Sequence, residues 1–401
     1  MGNMSVIDLL QAMVRLDTVA DELSGWTRSE QKLVDWLDKQ TTDWGLETQR
    51  LMVPGHADQL LIRLPEALRC DKSLILFDSH LDTVGIEGMT IDPFGGEIKG
   101  DKLYGRGACD TKGTGAAMLW AMKQYAQAGG GANDVALLFS VDEEVAMAGI
   151  KRFVEHDCLR LFQAPLSQER GKHDHLPKIA GVVVGEPTIL QPIVAHHGLV
   201  RWQLTTRGKA AHSSVPGFGQ SAITPMLELL QAVERDYIPT VTASHPRTGP
   251  AASSVTTIHG GQSPNVIPDT CAANIDRRLA PEQSGETPEE ATAALDAVLQ
   301  KNRLDYELVV AVSHPSFGQA HNAAWASHVC RVMEQHLGRS VSGIGVPFCT
   351  HASYFDEAGI PAVVLGPGDA LQAHTKDEWV SLEAIEEGVA VYLRLMHEAM
   401  T

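Results

Sequence analysis

The sequence predicts an α/β fold, with a mostly parallel sheet covered by helices on both faces and a second domain of ferredoxin-like βαββαβ order inserted into it. Three observations carry that expectation. Short apolar runs (LILF, VALLF, AGVVV, AVVL) alternate with helical stretches, and a strand apolar on both faces is one that a parallel sheet buries on both. Between about residues 197 and 313 the order becomes strand, helix, strand, strand, helix, strand. Finally, 401 residues exceed what one hydrophobic core usually organises. Residues 1–196 and 314–401 therefore read as one discontinuous domain and 197–313 as the insertion.

Each element has its own signal. SVIDLLQAMVRLD and RSEQKLVDWLDKQTTDWG repeat apolar residues at helical spacing, and Gly45 stops the second. KSLILF (72–77), NDVALLFSV (133–141), KIAGVVV (178–184) and PAVVLG (361–366) are strands. A long helix starts around Thr111 to Gly113 and stops at Gly129, and SLEAIEEGVAVYLRLMHEAM is the last helix. Residues 166–177 form a polar loop whose His173 and His175 read as solvated. In the insertion, LVRWQLTTRG, SSVTTIHGG, TCAANIDRRLA and YELVVAV are strands, while QSAITPMLELLQAVERD and TPEEATAALDAVLQKN are helices.

A formal charge of −18 leaves no basic stripe for phosphates, which argues against a nucleic-acid partner. The six cysteines, Cys70, Cys109, Cys158, Cys271, Cys330 and Cys349, are scattered without a CxxC pair, as in a reducing compartment. MGNMSVIDLLQAMVRLDTVADE has no basic start followed by an apolar core, and no stretch approaches the ~20 apolar residues of a membrane span. The expectation is a cytoplasmic protein with no membrane partner.

The chemistry lies where the strands end. LILF leads to His80 and Asp82, ALLFSV to Asp142, Glu143 and Glu144, GVVVG to Glu186, and AVVLGPG onward to His374. In open α/β sheets ligands bind beyond the carboxyl ends of the strands, so these exits point at one place. Asp110 joins them from GRGACDTKG, which fits neither phosphate-loop pattern. No element suffices alone: with 50 acids, adjacent acidic pairs arise about six times by composition. Together, two imidazoles and at least three carboxylates would be costly to desolvate without a cation among them. Mixed nitrogen and oxygen donors favour zinc or a related first-row metal. Five ligand groups are too many for one zinc that keeps an open position, and a carboxylate bridging two metals fits the count.

SHLDTV, GRGACDTKG, VDEEV, GEPT and GPGDALQAHTKDEWV, in this order, resemble the M20 family of di-zinc metallopeptidases and amidohydrolases over nearly the whole chain. The resemblance implies that His80 and Glu186 hold one zinc, Glu144 and His374 the other, and Asp110 bridges both. Cobalt or manganese are alternatives. It implies that Asp82 orients His80 and that Glu143 is the general base, taking a proton from the attacking water and returning it to the leaving amine. RGKAAHSSVPGFGQSAI matches a family segment whose histidine, here His212, steadies the oxyanion in the partner's site of a homodimer. Taken alone, His212 reads as a local cap near Ser213 and Ser214.

Asn265 and Arg278 match residues that bind the substrate's carboxylate or carbonyl, although residues alone do not say whether Arg277 or Arg278 points inward. One departure stands out: CTHASYF places His351 where relatives carry an acid or amide near the substrate, so it reads either as a pocket residue or as a packed one. The HTKDEWV and VRWQLTTRGKAAHSS stretches look most like the acetylornithine deacetylase branch. The expected activity is hydrolysis of the amide of a small N-acyl amino acid. A carboxypeptidase, a dipeptidase or a succinyl-diaminopimelate desuccinylase with the same site is the alternative. A binding protein that kept the fold and lost turnover would lack Glu143, and a nucleotide-binding protein would carry phosphate-loop glycines.

Overall fold

The computed structural model describes residues 4–20, 28–68, 73–162, 178–281 and 286–400, so His173 and His175 lie outside the described residues. The chain divides into two compact units. The first comprises Met1–Val194, Ala320–Ile344 and Thr350–Thr401; the second comprises Ala195–Gln319 and Gly345–Cys349.

An eight-stranded sheet, the first six strands of which lie wholly in the first unit, has the order Glu47–Leu51, Gln59–Arg63, Asp134–Ser140, Leu74–His80, Ile179–Val184, Ala362–Val364, Ile193–His196 and Ile344–Val346. The four strands read from the sequence, Asp134–Ser140, Leu74–His80, Ile179–Val184 and Ala362–Val364, are its parallel centre. Around this parallel centre the flanking strands run antiparallel. Gln59–Arg63 runs antiparallel to Asp134–Ser140, Glu47–Leu51 to Gln59–Arg63, and Ile193–His196 to Ala362–Val364. Glu47–Leu51, at an edge, reads ETQRL and is buried at Leu51 alone, so it carries no apolar run to reveal it. A separate three-stranded sheet joins Glu97–Lys99, Lys102–Tyr104 and Trp379–Ser381.

Every residue of Leu74–His80 and Asp134–Ser140 is buried, as strands covered on both faces must be. One core joins Ile75, Phe77, Val135, Leu137 and Val183 to apolar positions of the helices Val6–Val14, Lys112–Gln127, Ala323–Leu337 and Leu382–His397. Each such side chain contributes about 1.5–3 kcal/mol on leaving water. Trp325 lies so close to Gly181 that a Cβ there would fall 2.1 Å from its ring, and the indole N–H donates to Val182 O at 2.8 Å. No helix among the described residues is long and apolar enough to cross a membrane.

The second unit is a four-stranded antiparallel sheet, ordered Ala252–Gly260, Thr270–Leu279, Gly198–Arg207 and Glu307–His314. Helices Ile223–Ala232 and Pro288–Gln300 supply the rest of a βαββαβ unit. Val200, Trp202 and Leu204 pack with Cys271, Ala273 and Ile275 against Met226, Leu229, Leu295 and Leu299 of those helices.

Candidate metal centre

The strand Leu74–His80 ends on the imidazole itself, which is 2% exposed. Its Nδ1 lies 3.0 Å from the backbone oxygen of Asp82 and 3.5 Å from Asp82 Oδ1. Nε2 thereby faces Asp110, whose Oδ1 is 3.3 Å away. Asp110 closes the turn 105–110, just before the helix Lys112–Gln127. That turn needs its glycines: Gly107 sits at φ +81°, and a Cβ on Gly113 would lie 2.4 Å from the carbonyl oxygen of Ala108.

Past the strand Asp134–Ser140 the chain turns sharply at Asp142, φ 62°, and delivers Glu143 and Glu144. Their amides donate to Asp82, Glu143 to Oδ1 at 3.0 Å and Glu144 to Oδ2 at 2.9 Å. Glu186 follows the strand Ile179–Val184 and is buried. His374 approaches from the loop beyond Ala362–Val364, with Nε2 3.3 Å from Asp110 Oδ2 and 3.2 Å from Glu144 Oε2.

These donors form overlapping groups in which one atom from each residue lies within 4.8 Å of the others: His80, Asp110 and Glu186; Asp110, Glu144 and His374; and His80, Glu143 and Glu144. Asp110 belongs to two of them and turns a different oxygen to the histidine of each.

So many acids in one place perturb each other. Burial pushes Glu143 and Glu186 well above the usual carboxylate range, and neighbouring carboxylates push the same way. Burial also raises Glu144. For Asp110 burial acts upward, but His374 and His80 outweigh it and hold the carboxyl below its ordinary value. His374 is pushed up to about 10, by Asp110 first and Glu144 second. The residues fit a pair of divalent cations by their own chemistry. The donors are imidazole nitrogens and carboxylate oxygens, and the buried Asp110 Oδ1, 3.3 Å from His80 Nε2, meets no donor in good hydrogen-bond geometry among the described residues.

The other residues singled out from sequence fall elsewhere. His212 is exposed in the second unit, on a short ribbon in which Ala211–His212 pairs with Val266–Ile267. Its Nδ1 lies 2.7 Å from Ser214 Oγ and accepts the Ser214 N–H at 3.1 Å. Asn265 belongs to the same ribbon and accepts the Ser213 N–H on its backbone oxygen at 2.9 Å. Arg277 is buried on the helix-facing side of its strand, bonded to Glu286 and to Arg278 O, whereas Arg278 stands on the other side, its Nε 2.8 Å from Asp276 Oδ1. The strand alternation thus settles which arginine turns away from the core.

His351 does not lie on an open surface. It is 1% exposed in the first unit, with Nδ1 2.9 Å from Asp78 Oδ2, and Asp78 Oδ1 accepts the Ser140 hydroxyl at 2.8 Å. Its ring meets that of His80 edge-on, with centroids 6.5 Å apart.

Sequence reasoning missed Asp78, Lys112 and Glu378. Lys112 is fully buried, donates to Leu16 O at 2.8 Å, and is pushed down to about 8 by that burial. Glu378 is buried against the turn that carries Asp110.

The fold and this donor set are those of a hydrolase of the metallopeptidase and amidohydrolase kind. A model of peptidase family M20/M25/M40 matches residues 76–398, and the chain belongs to that family. It is 29% identical over 394 residues to the acetylornithine deacetylase of Yersinia pestis, covering 95% of this chain and 94% of that one. The acetylornithine deacetylase of Myxococcus xanthus is 29% identical over 400 residues, covering 98% and 91%. Among solved structures, the M20 family metallo-carboxypeptidase Sso-CP2 of Sulfolobus solfataricus superposes with a TM-score of 0.80 at 16% identity, covering 98% of both chains. The YxeP protein of Bacillus subtilis, a dinuclear metal-binding peptidase from the M20 family, gives 0.66 at 16% identity, covering 98% and 96%.

Proposed function

We propose that this chain hydrolyses the amide bond of an N-acyl amino acid, in the manner of an acetylornithine deacetylase, at a centre for two divalent cations. The observation that carries the reading is Asp110, which offers one oxygen beside His80 and the other beside His374. His80 and Glu186 would hold one cation, Glu144 and His374 the other, and Asp110 both. Two zinc ions there would polarise the amide carbonyl and make water a stronger acid.

The chain's own groups do the rest. Glu143 takes the proton of the attacking water as its oxygen adds to the carbonyl carbon. It then gives that proton to the amine nitrogen as the C–N bond breaks. Asp82 holds the amide of Glu143, which fixes where that carboxylate can swing. In the second unit, Nδ1 of His212 accepts the Ser214 N–H, so the neutral ring carries its proton on Nε2, a donor suited to an oxyanion. Arg278 and Asn265 are assigned to the substrate's carboxylate and carbonyl.

We assign a homodimer as well. Ala252–Gly260 is an edge strand with Ile258 exposed, and Leu227 is exposed on the helix beside Val255.

The test is amine release by zinc- or cobalt-loaded protein from Nα-acetylornithine, other N-acetyl amino acids, N-succinyl-diaminopimelate and dipeptides, with a chelator control. Chelator-sensitive turnover confined to acetyl amides supports the reading. Turnover of dipeptides alone overturns the substrate, and silence with two metals bound overturns the N-acyl assignment.

A further inference from the structure

Glu378 stands four residues after His374 and is completely buried. A carboxylate in that position has to find donors, and this one finds them in a single segment. Its Oε1 accepts the backbone N–H of Cys109 at 2.8 Å and of Asp110 at 2.9 Å. Its Oε2 accepts the N–H of Gly107 at 3.1 Å and Nη1 of Arg106 at 2.8 Å. The backbone oxygen of Glu378 takes the N–H of Gly105 at 3.0 Å, and Ala108 completes the turn by donating to Gly105 O at 3.1 Å. The amides of the turn thus converge as they would on a bound anion, and the anion is a side chain of the same protein. Arg106 is itself tied down, with Nε on Gly85 O at 3.0 Å.

The tie matters because of what stands at its ends. One is Asp110, the residue shared by both donor groups, held by its own N–H. The other is the loop of His374, the one exposed member of the set, at 55%. Asp110 Oδ2 and His374 Nε2 come to 3.3 Å from opposite ends of the sequence, and Glu378 bonds the two segments together right beside them.

We propose that Glu378 is a positioning residue of the metal centre: it fixes the Asp110 turn against the His374 loop, and so sets the spacing at which both can share a cation. It contacts neither substrate nor cation, and acts through Asp110 and His374. This rests on the metal-centre reading above.

Glu378→Gln tests it, because the amide keeps the volume but turns an N–H₂ toward groups that are themselves donors. The readouts are zinc affinity by competition with a chromophoric chelator, the visible spectrum of the cobalt-loaded protein, and kcat and KM on an N-acetyl amino acid. The expected result is a folded protein that binds at least one zinc tenfold or more weakly, within the 10–100-fold range for groups that orient ligands. Its cobalt spectrum is altered, and kcat falls at least tenfold with KM within threefold.

Tyr125→Phe controls for stability loss alone. It removes a buried bond to Asn133 O, about 20 Å away along the helix Lys112–Gln127, and leaves zinc affinity unchanged. If Glu378→Gln does not fold, Glu378→Asp retracts the carboxylate and is expected to weaken zinc threefold or more. A folded Glu378→Gln or Glu378→Asp protein with wild-type affinity, spectrum and kcat overturns the proposal. A wild-type chain that takes up no zinc overturns the metal-centre reading and this proposal with it. That outcome is recognised because the wild type itself fails.

Discussion

The two oxygens of Asp82 accept the backbone N–H groups of Glu143 and Glu144, at 3.0 and 2.9 Å, while the backbone oxygen of Asp82 lies 3.0 Å from Nδ1 of His80. One residue therefore aligns the imidazole at the end of one strand with both acids at the end of the next. Burial alone would raise its carboxyl, but His80 and the two amides hold it below its ordinary value. The carboxylate that the resemblance sets beside His80, with Oδ1 3.5 Å from Nδ1, thus also holds the two glutamates. Asp82→Ala is expected to lower kcat by ~10–100-fold and to weaken metal binding together with it. Parallel kinetics and zinc titration check this, and a loss in KM alone would contradict it.

Glu143 and Glu144 are neighbours with different expected consequences. Glu143→Gln removes the proton carrier, and kcat is expected to fall by ~10²–10⁴-fold with zinc content retained. Glu144→Gln removes a donor from beside His374 and is expected to lose zinc first. Metal content measured alongside kcat separates the two. Equal zinc loss in both variants would make Glu143 a ligand, a role its place beside His80 and Glu144 also allows.

How far the sequence alone could reach follows from what each signal depends on. Strands buried on both faces declare themselves as apolar runs, so the sheet's centre and the residues at its strand ends were legible. Glu47–Leu51 was not, because an edge strand facing water needs no such run. Arg277 and Arg278 could have been told apart. Cys271, Ala273, Ile275 and Leu279 already mark one face of the strand by alternation, and Arg277 falls on it. Glu378 had no such mark, since an acid that meets its donors more than 260 residues away looks, among 50 acids, like any other. The return of Gly345–Cys349 to the second unit is likewise a tertiary event with no compositional shift.

His374 gives the centre a pH dependence with a definite sign. Asp110 and Glu144 hold its imidazolium to about 10 in the metal-free chain, whereas an unfolded histidine titrates near ~6.5. The resulting stabilisation is complete below the unfolded value and is lost as the pH rises through about 10. A cation needs the neutral ring, so loading at neutral pH has to expel that proton. Zinc affinity is therefore expected to rise with pH between 6 and 8, by about tenfold per unit for each proton released. Calorimetric titrations in buffers of different ionisation enthalpy count the protons. A flat affinity with no proton released would show that His374 is already neutral in this range and would overturn the raised value.

The last prediction concerns the pair Asp78–His351. Nδ1 of His351 lies 2.9 Å from Asp78 Oδ2, and the same carboxylate accepts the Ser140 hydroxyl on Oδ1. The pair links the N-terminus of the helix Ala352–Glu357 to the ends of the strands that carry His80 and lead to Glu143. Both residues are buried, so His351→Ala strips a carboxylate oxygen of its imidazole donor where water cannot replace it. The expected cost is about 1–3 kcal/mol, read from denaturant unfolding of the metal-free protein. In the Asp78→Asn background the same substitution is expected to cost less, because the two residues share one interaction. KM for the N-acyl substrate is expected to stay within twofold, since the ring is packed away from solvent. Unchanged stability with KM raised tenfold would instead place His351 at the substrate, one of the two roles its position in CTHASYF allows.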